Sequence, residues 1–471
     1  MSSRKKSSSE STKKTATNVD QGEQLKRALT WILAPENFAD FAKHGNVSWI
    51  PVHLVKLAVL FAWSDAPKMT ECFDRAAKLS QELFGVLAIQ TFQGMVRALV
   101  TYGPDLMSRL WLRLQTLMEQ TAPKCYRIGL WLTLAVDGSR FTTPRTRSNE
   151  QAFAAKNYGR GKMAKSRAKW KNKKRRSKKL STPVKPQIWL TLIWHMGLKL
   201  PWCWKTGPSN SSERDHLVQL MKSQKFPKNT LFCGDAGFTG YEFWNAILEQ
   251  GQNFLVRVGG NVRLLTHLGH ARRGDGIVSL WPNEAARRKQ PPIVLRLIEL
   301  KNGRGSMYLV TSVLDERKLS MSVLKRLYPL RWGIELQFRA VKQTYGRGNL
   351  RSRNAEHALV ELEWSLIALT MIQLLAIREQ QQIGIPPERS SVSQAIAAIR
   401  HAINTWNEDV PRSSSMNTQL RDATKDKYTR TKPKTARYQS NYKDKPTTGG
   451  PQIIKASLAQ NRMYKSLSSA A

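Results

Sequence analysis

The sequence predicts an α/β fold: a mixed sheet with flanking helices, preceded by an α-helical region. Three observations predict it. Residues 21–120 carry apolar side chains three and four positions apart, broken by Pro and Gly, which is the period of amphipathic helices. From about residue 130 the texture changes to short, continuous apolar runs, the mark of buried strands. Those runs alternate with helical patterns in the order strand, two-stranded hairpin, helix, strand, helix, strand.

Taken in order, residues 1–20 hold Ser, Lys and Thr with little to bury and read as a disordered basic tail. Between 21 and 125, "QLKRALTWIL", "IPVHLVKLAVLFAW", "MTECFDRAAKLSQELF" and "IQTFQGMVRALVTYG" predict four or more helices. Helix packing alone explains that pattern; a DNA-binding role is the functional expectation. "LWLTLAVD" is a buried strand ending in Asp137, followed by a long loop. Ile188–Thr206 reads as a hairpin with Gly197 near its turn, and "SSERDHLVQLMKSQ" opens a helix with a Ser and Glu pattern. "TLFCGD" is a short strand ending in Asp235, "TGYEFWNAILEQG" a helix closed by Gly251, and "NFLVRV" a further strand.

Residues 126–385 thus form one unit, with a basic loop at 145–186 and a β-rich insertion at about 259–320 ("GIVSLW", "PIVLRLIEL", "SMYLVTSVLD"). The helical pattern returns near 319, and a helix near 355–380 buries "LVELEWSLIALTMIQLLAI". Residues 386–410 hold another helix, with Ser391 and Gln394 as a capping pattern and Ile396, Ile399 and Ile403 as its face. The remainder, 411–471, reads as a flexible basic tail, and no internal repeat is visible.

Charge narrows the partner. Among 471 residues, 76 Lys+Arg against 34 Asp+Glu gives +42, which calls for a polyanion, most simply nucleic acid. The charge fixes the class of partner and leaves the chemistry open. Cys72, Cys125, Cys203 and Cys233 lack C-x-x-C spacing, so a disulfide frame and a zinc site are both disfavoured. The first 20 residues are polar and basic, unlike a signal peptide. The longest apolar run, Trp364–Ile377, spans about 14 residues, short of the ~20 that a membrane crossing needs, and reads as a buried helix.

Lys156–Lys179 carries 13 Lys/Arg and no acid, with Lys171, Lys173, Lys174, Arg175 and Arg176 as its densest part. A solvated loop is the plain reading; mutual repulsion favours an arm that contacts DNA backbone. Its "GRGK" lacks the preceding strand, the Gly spacing and the following Ser or Thr of a P-loop, so no nucleotide cofactor is expected. His267 and His270 read as loop residues rather than metal ligands. Trp202 and Trp204 share one strand face suited to core packing, and Arg257 either faces DNA or ends its strand.

In so basic a chain, acids at the ends of buried strands stand out. Asp137 and Asp235 are two such acids, and the carboxyl edge of a sheet is a common place for a site. A third, Glu335, lies in "LYPLRWGIELQFRAVKQTYG", where Tyr328, Arg331, Glu335 and Lys342 follow Y-x2-R-x3-E-x6-K. On one continuous helix those four would fall within an arc of roughly 60°, beside an apolar stripe of Leu330, Ile334, Phe338 and Val341. Three carboxylates can hold two divalent ions, and oxygen ligands suit Mg²⁺ or Mn²⁺. Each acid also has a structural reading: Asp137-Gly138 as a turn, "GDAG" as a turn or cap, Arg331 and Glu335 as a surface ion pair.

The Tyr328, Arg331, Glu335, Lys342 spacing resembles the signature of insertion-sequence transposases of the IS-four type, within the DDE class. "DGSRF" at Asp137 is similar to that family's first aspartate block, and "DAGF" at Asp235 to its second. The insertion between the second aspartate and the glutamate is also similar, and the resemblance covers about 130–380. It implies an RNase H-like catalytic domain in which Asp137, Asp235 and Glu335 bind two Mg²⁺ (or Mn²⁺) ions. Water and then a 3′-hydroxyl would attack DNA phosphates, cutting at element ends and transferring strands into target DNA. Arg331, Lys342 and Tyr328 would hold phosphates near the ions. The implied partner is double-stranded DNA, with the protein a homodimer in the DNA complex, in the cytoplasm and on the nucleoid of a prokaryotic host. Some members of that family excise through a DNA hairpin, with an aromatic side chain holding a flipped base. A metal-dependent nuclease without strand transfer and a silent DNA-binding derivative are the alternatives; both aspartates, the glutamate and the flanking cations are present, which argues against decay.

Overall fold

The structure, a computed structural model, describes residues 18–86, 89–154, 185–269, 276–302, 305–425 and 449–468. Most of the N-terminal tail and the basic arm with Lys171, Lys173, Lys174, Arg175 and Arg176 lie outside these residues, as does His270.

The chain opens with a short strand, β1 (Asn18–Asp20), and four helices: α1 (Gln21–Ile32), α2 (Pro51–Trp63), α3 (Met69–Phe84) and α4 (Phe92–Thr121). β2 (Leu132–Thr142), β3 (Gln187–His195) and β4 (Leu200–Gly207) form an antiparallel meander. Next come α5 (Glu213–Ser223), β5 (Thr230–Gly234), α6 (Tyr241–Glu249) and β6 (Asn253–Val258), with β5 parallel to both β2 and β6. The insertion contributes β7 (Arg263–Thr266), β8 (Ile277–Leu280), β9 (Ile293–Asn302) and β10 (Gly305–Thr311). It does not stand apart. β10 pairs with β6, so the sheet continues through it to ten strands, in the order β12-β7-β8-β9-β10-β6-β5-β2-β3-β4. After β10 come α7 (Met321–Leu327), α8 (Gly333–Arg339), the 27-residue α9 (Ala355–Gln381), α10 (Val392–Asn404), β11 (Asp409–Pro411) and α11 (Met416–Asp422). β12 (Gln452–Lys455) and α12 (Leu458–Ser468) close the described chain.

Where the strands run through the core, local pattern and structure agree. β5 is buried throughout, and Leu132–Val136 of β2 are buried on both faces, which is why they read as unbroken apolar runs. Ser212 caps α5 by accepting from the Asp215 backbone N–H at 3.3 Å. α6 ends at Gly251, whose φ of 68° is open to glycine without strain.

Several expectations are corrected. β2 does not end at Asp137; it runs to Thr142, because β3 keeps pairing with it after β5 has stopped. Ser391 precedes α10 without a side-chain capping bond. The helix carrying Tyr328 to Lys342 is not continuous: Tyr328–Trp332 is a 3₁₀ turn, Gly333–Arg339 is α, and Ala340–Thr344 is a π turn. Pro329 near its start and the lengthened 340–344 turn shift the angular register, so the simple arc fails. Residues 18–20 form β1, and the region read as a flexible tail carries α11, β12 and α12, with β12 pairing parallel to β7.

The N-terminal helices and the sheet share one core. α9 lies between them: the Trp63 indole donates to the Ala368 carbonyl at 2.9 Å, and the Tyr345 hydroxyl to the Ala62 carbonyl at 2.5 Å. Among the described residues α9 is the helix long and apolar enough to cross a membrane, yet 89% of its apolar window is buried inside the protein. Trp202 is buried and Trp204 packs edge-on against Trp111 of α4 at 4.8 Å, so both serve the core. All four cysteines are free, and the described His267 sits in the loop after β7.

Candidate active site

Strand register brings the two aspartates together. Ala135 of β2 pairs with Cys233 of β5, so two residues further on Asp137 and Asp235 reach the same level on neighbouring strands. This is where parallel pairing stops and backbone opens toward solvent. Asp137 Oδ1 accepts from the Gly138 N–H at 2.8 Å, and Asp235 Oδ1 from the Gly237 N–H at 2.8 Å.

Glu335 arrives from the helical layer on one face. Asp137 pairs with Leu192 of β3, so Leu192 and Trp194 share its face of the sheet. Gly333 lies on that face with no room for a Cβ, because the Trp194 ring occupies the place. This close approach sets α8 against the sheet. Arg331, at 6% exposure, holds Glu335 with Nη2 at 3.8 Å from Oε1, while its Nε and Nη1 have no hydrogen-bond partner among the described residues. Tyr328 is buried, and its hydroxyl donates to the Gly234 carbonyl at 3.1 Å. Its oxygen is thus committed to the strand end that carries Asp235, a bracing position rather than a surface for phosphate. Lys342 Nζ donates to Ser139 Oγ at 2.6 Å and lies over the Phe141 ring, along the face that also holds Asp137.

The electrostatics follow from this crowding. Asp137 is pushed up to about 6: burial is the main cause, the charges of Asp235 and Glu335 add to it, and the Gly138 N–H and Arg331 oppose it. Burial lowers Lys342. Glu213, which the sequence pattern does not single out, is pushed up to about 7 by burial, then by Asp137 and Asp235, against Arg140 and Arg214. In sequence it looks like an ordinary acid in the first turn of a capped helix, so no local signal marks it. Nor does the pattern single out Trp332; it is 59% exposed three residues before Glu335 and stacks on Arg331. It lines a groove of about 960 Å³ together with Trp194, Lys199, Glu335, Leu336 and Lys425.

Every acid here offers carboxylate oxygen, the donor chemistry that suits Mg²⁺ or Mn²⁺. Among the described residues no group of three or more His, Cys, Asp or Glu side chains is placed to hold a metal ion. Like charges converge only when a cation offsets their repulsion. The donor set fits a divalent ion in kind, and the charges of Asp235 and Glu335 are both felt at Asp137.

A sheet-end group of acids beside a buried, half-satisfied guanidinium thus marks the candidate site of a strongly basic α/β protein. The sequence profile of the Transposase DDE domain family matches residues 132–371, which include Asp137, Asp235 and Glu335, and the chain belongs to that family. It is 25% identical over 322 residues to the transposase InsG for insertion sequence element IS4 of Escherichia coli K12, covering 66% of this chain and 67% of that protein. It is also 28% identical over 170 residues to the putative transposase y4zB of Sinorhizobium fredii, covering 34% of this chain and 46% of that protein. A piggyBac transposase in a synaptic complex with hairpin DNA aligns over 88% of this chain and 84% of its own at 12% identity, with a TM-score of 0.37.

Proposed function

We propose that this transposase cuts DNA at the ends of its element and joins the freed 3′-hydroxyl strands to target DNA, using Asp137, Asp235 and Glu335 on an RNase H-like core. The supporting topology is the order β4-β3-β2-β5-β6, with antiparallel β2–β3–β4 and parallel β2, β5 and β6. The single observation that carries the reading is the shared level of Asp137 and Asp235 past the end of parallel pairing, with Glu335 held on Arg331 across the same face.

Asp137, Asp235 and Glu335 would hold the divalent ions. When bound, two Mg²⁺ ions supply Lewis acidity to the attacking and leaving oxygens. The protein's own groups do the rest. Arg331 has two unsatisfied edges for phosphate oxygens, in a buried place where a charge-assisted bond is strong. Tyr328 fixes the backbone before Asp235. Lys342, held over Ser139 and Phe141, puts positive charge beside the strand that carries Asp137. Trp332, exposed beside Glu335, is the aromatic surface best placed for an unpaired base. Lys171, Lys173, Lys174, Arg175 and Arg176 add backbone attraction for duplex DNA. The protein would act as a homodimer on two element ends, in the cytoplasm on prokaryotic nucleoid DNA.

The test is a strand-transfer reaction with pre-cut ends bearing a 3′-hydroxyl. Wild-type protein with Mg²⁺ should join them to target DNA; Asp137→Ala should abolish cleavage and joining while still shifting duplex DNA. Cleavage without joining would make the protein a nuclease, and unchanged cleavage by Asp137→Ala would discard the site.

A further inference from the structure

The geometry points to Glu213 as a fourth carboxylate of the ion site, reaching it from the helical layer opposite to the one that delivers Glu335. This inference rests on the divalent-ion reading above and extends it.

The two faces of β2 separate the layers. Asp137, Ser139 and Phe141 face α8 and the π turn, whereas Gly138 and Arg140 face the other way. On that second face Thr191, the partner of Gly138 on β3, meets His216 of α5 at 3.0 Å. α5 therefore lies on the opposite side of the sheet from Glu335. Glu213, its first residue, would be cut off from Asp137 by any side chain at 138. Residue 138 is glycine, and the Glu213 carboxylate occupies the place of the absent Cβ, with Cγ 2.7 Å from it. The acid thus lies over the one β2 position with no side chain, the residue next to Asp137. Ser212 caps α5 and fixes where that first turn begins.

A second, independent feature points to a ligand. Arg331 is more than nine-tenths buried on the Glu335 side, with Nε and Nη1 unpartnered among the described residues. Such a guanidinium calls for an anion that the protein does not supply, as a phosphate held by the ions would. Acids from both layers with a cation behind them make a site for a cation-bound phosphate. Arg140 stacks on Trp189 at 4.6 Å, and Arg214 Nη1 donates to the Thr239 carbonyl at 2.8 Å. Neither arginine forms an ion pair with Glu213 among the described residues, which leaves its carboxylate available.

The experiment titrates full-length protein with Mn²⁺ and follows free ion by electron paramagnetic resonance, without DNA and without turnover. Glu213→Gln should weaken Mn²⁺ binding about ten-fold or more, with Glu213→Asp in between, while duplex DNA binding in EDTA stays at the wild-type level. Gly138→Ala keeps all four carboxyl groups in the chain but displaces Glu213; it should weaken Mn²⁺ likewise, and it serves as the readout should Glu213→Gln not fold. Asp137→Ala is the reference. If it loses Mn²⁺ while Glu213→Gln and Gly138→Ala bind as wild type, Glu213 is no part of the site. If wild-type protein binds no Mn²⁺, or Asp137→Ala binds it unchanged, the ion reading itself falls and takes this inference with it.

Discussion

Asp137 shows how a proposed site residue opposes folding. Its carboxyl keeps a proton up to about pH 6 when folded, whereas the unfolded group releases it near 3.8. Between those values the folded state binds the extra proton, so stability falls as pH rises from about 4 to about 6 and stays lower above. A shift of this size corresponds to about 3 kcal/mol. Asp137→Asn keeps the shape and the acceptor for the Gly138 N–H while removing the charge. It should melt higher than wild type at pH 8 in EDTA, by calorimetry, and lose cleavage entirely. Mg²⁺ should raise the melting temperature of wild type and leave that of Asp137→Asn nearly unchanged. A lower melting temperature for the Asn variant would mean that the charge is not the strained feature proposed here.

At the scale of elements, close packing sets positions. Ser212→Ala removes the cap of α5 and should cost about 1 kcal/mol in denaturant unfolding. Gly333→Ala drives a methyl into the Trp194 ring and should cost about 1–3 kcal/mol by overpacking, with weaker DNA cleavage because α8 carries Glu335. The same elements show what is legible in sequence. Continuous apolar runs mark β5 and the first half of β2, and the acids following them stand out because a charge at the end of such a run is conspicuous. The second half of β2 is lost from view because Asp137, Ser139 and Arg140 are polar, Gly138 has no side chain, and none of the four is buried. The break at 328–344 is hidden because a 3₁₀-to-α-to-π change keeps a helical pattern of apolar residues. Glu213 is invisible because its meaning depends on Gly138, 75 positions earlier and reached only through sheet pairing.

For the whole molecule, the +42 charge dominates encounters with DNA. Duplex binding should weaken by roughly 10³–10⁵ between 50 and 200 mM salt if six to ten phosphates are neutralised. Replacing Lys171, Lys173, Lys174, Arg175 and Arg176 with Gln should flatten the slope of log K against log salt by about 0.9 for each phosphate no longer neutralised, read by fluorescence anisotropy. An unchanged slope would remove the arm from the DNA interface. Assembly of the protein has its own timetable. β1 pairs with β11, and the buried Gln21 Oε1 accepts the Met416 N–H at 2.9 Å. The first helix thus docks on residues made almost four hundred positions later. At about 5–20 residues per second, synthesis leaves that seam open for on the order of 20–80 s. Meanwhile α2, apolar on nearly every side, waits for α9 to cover it. A ribosome that stalls before codon 355 releases a chain with the α9-facing side of that helix bare, a substrate for chaperones and proteases before it is ever an enzyme.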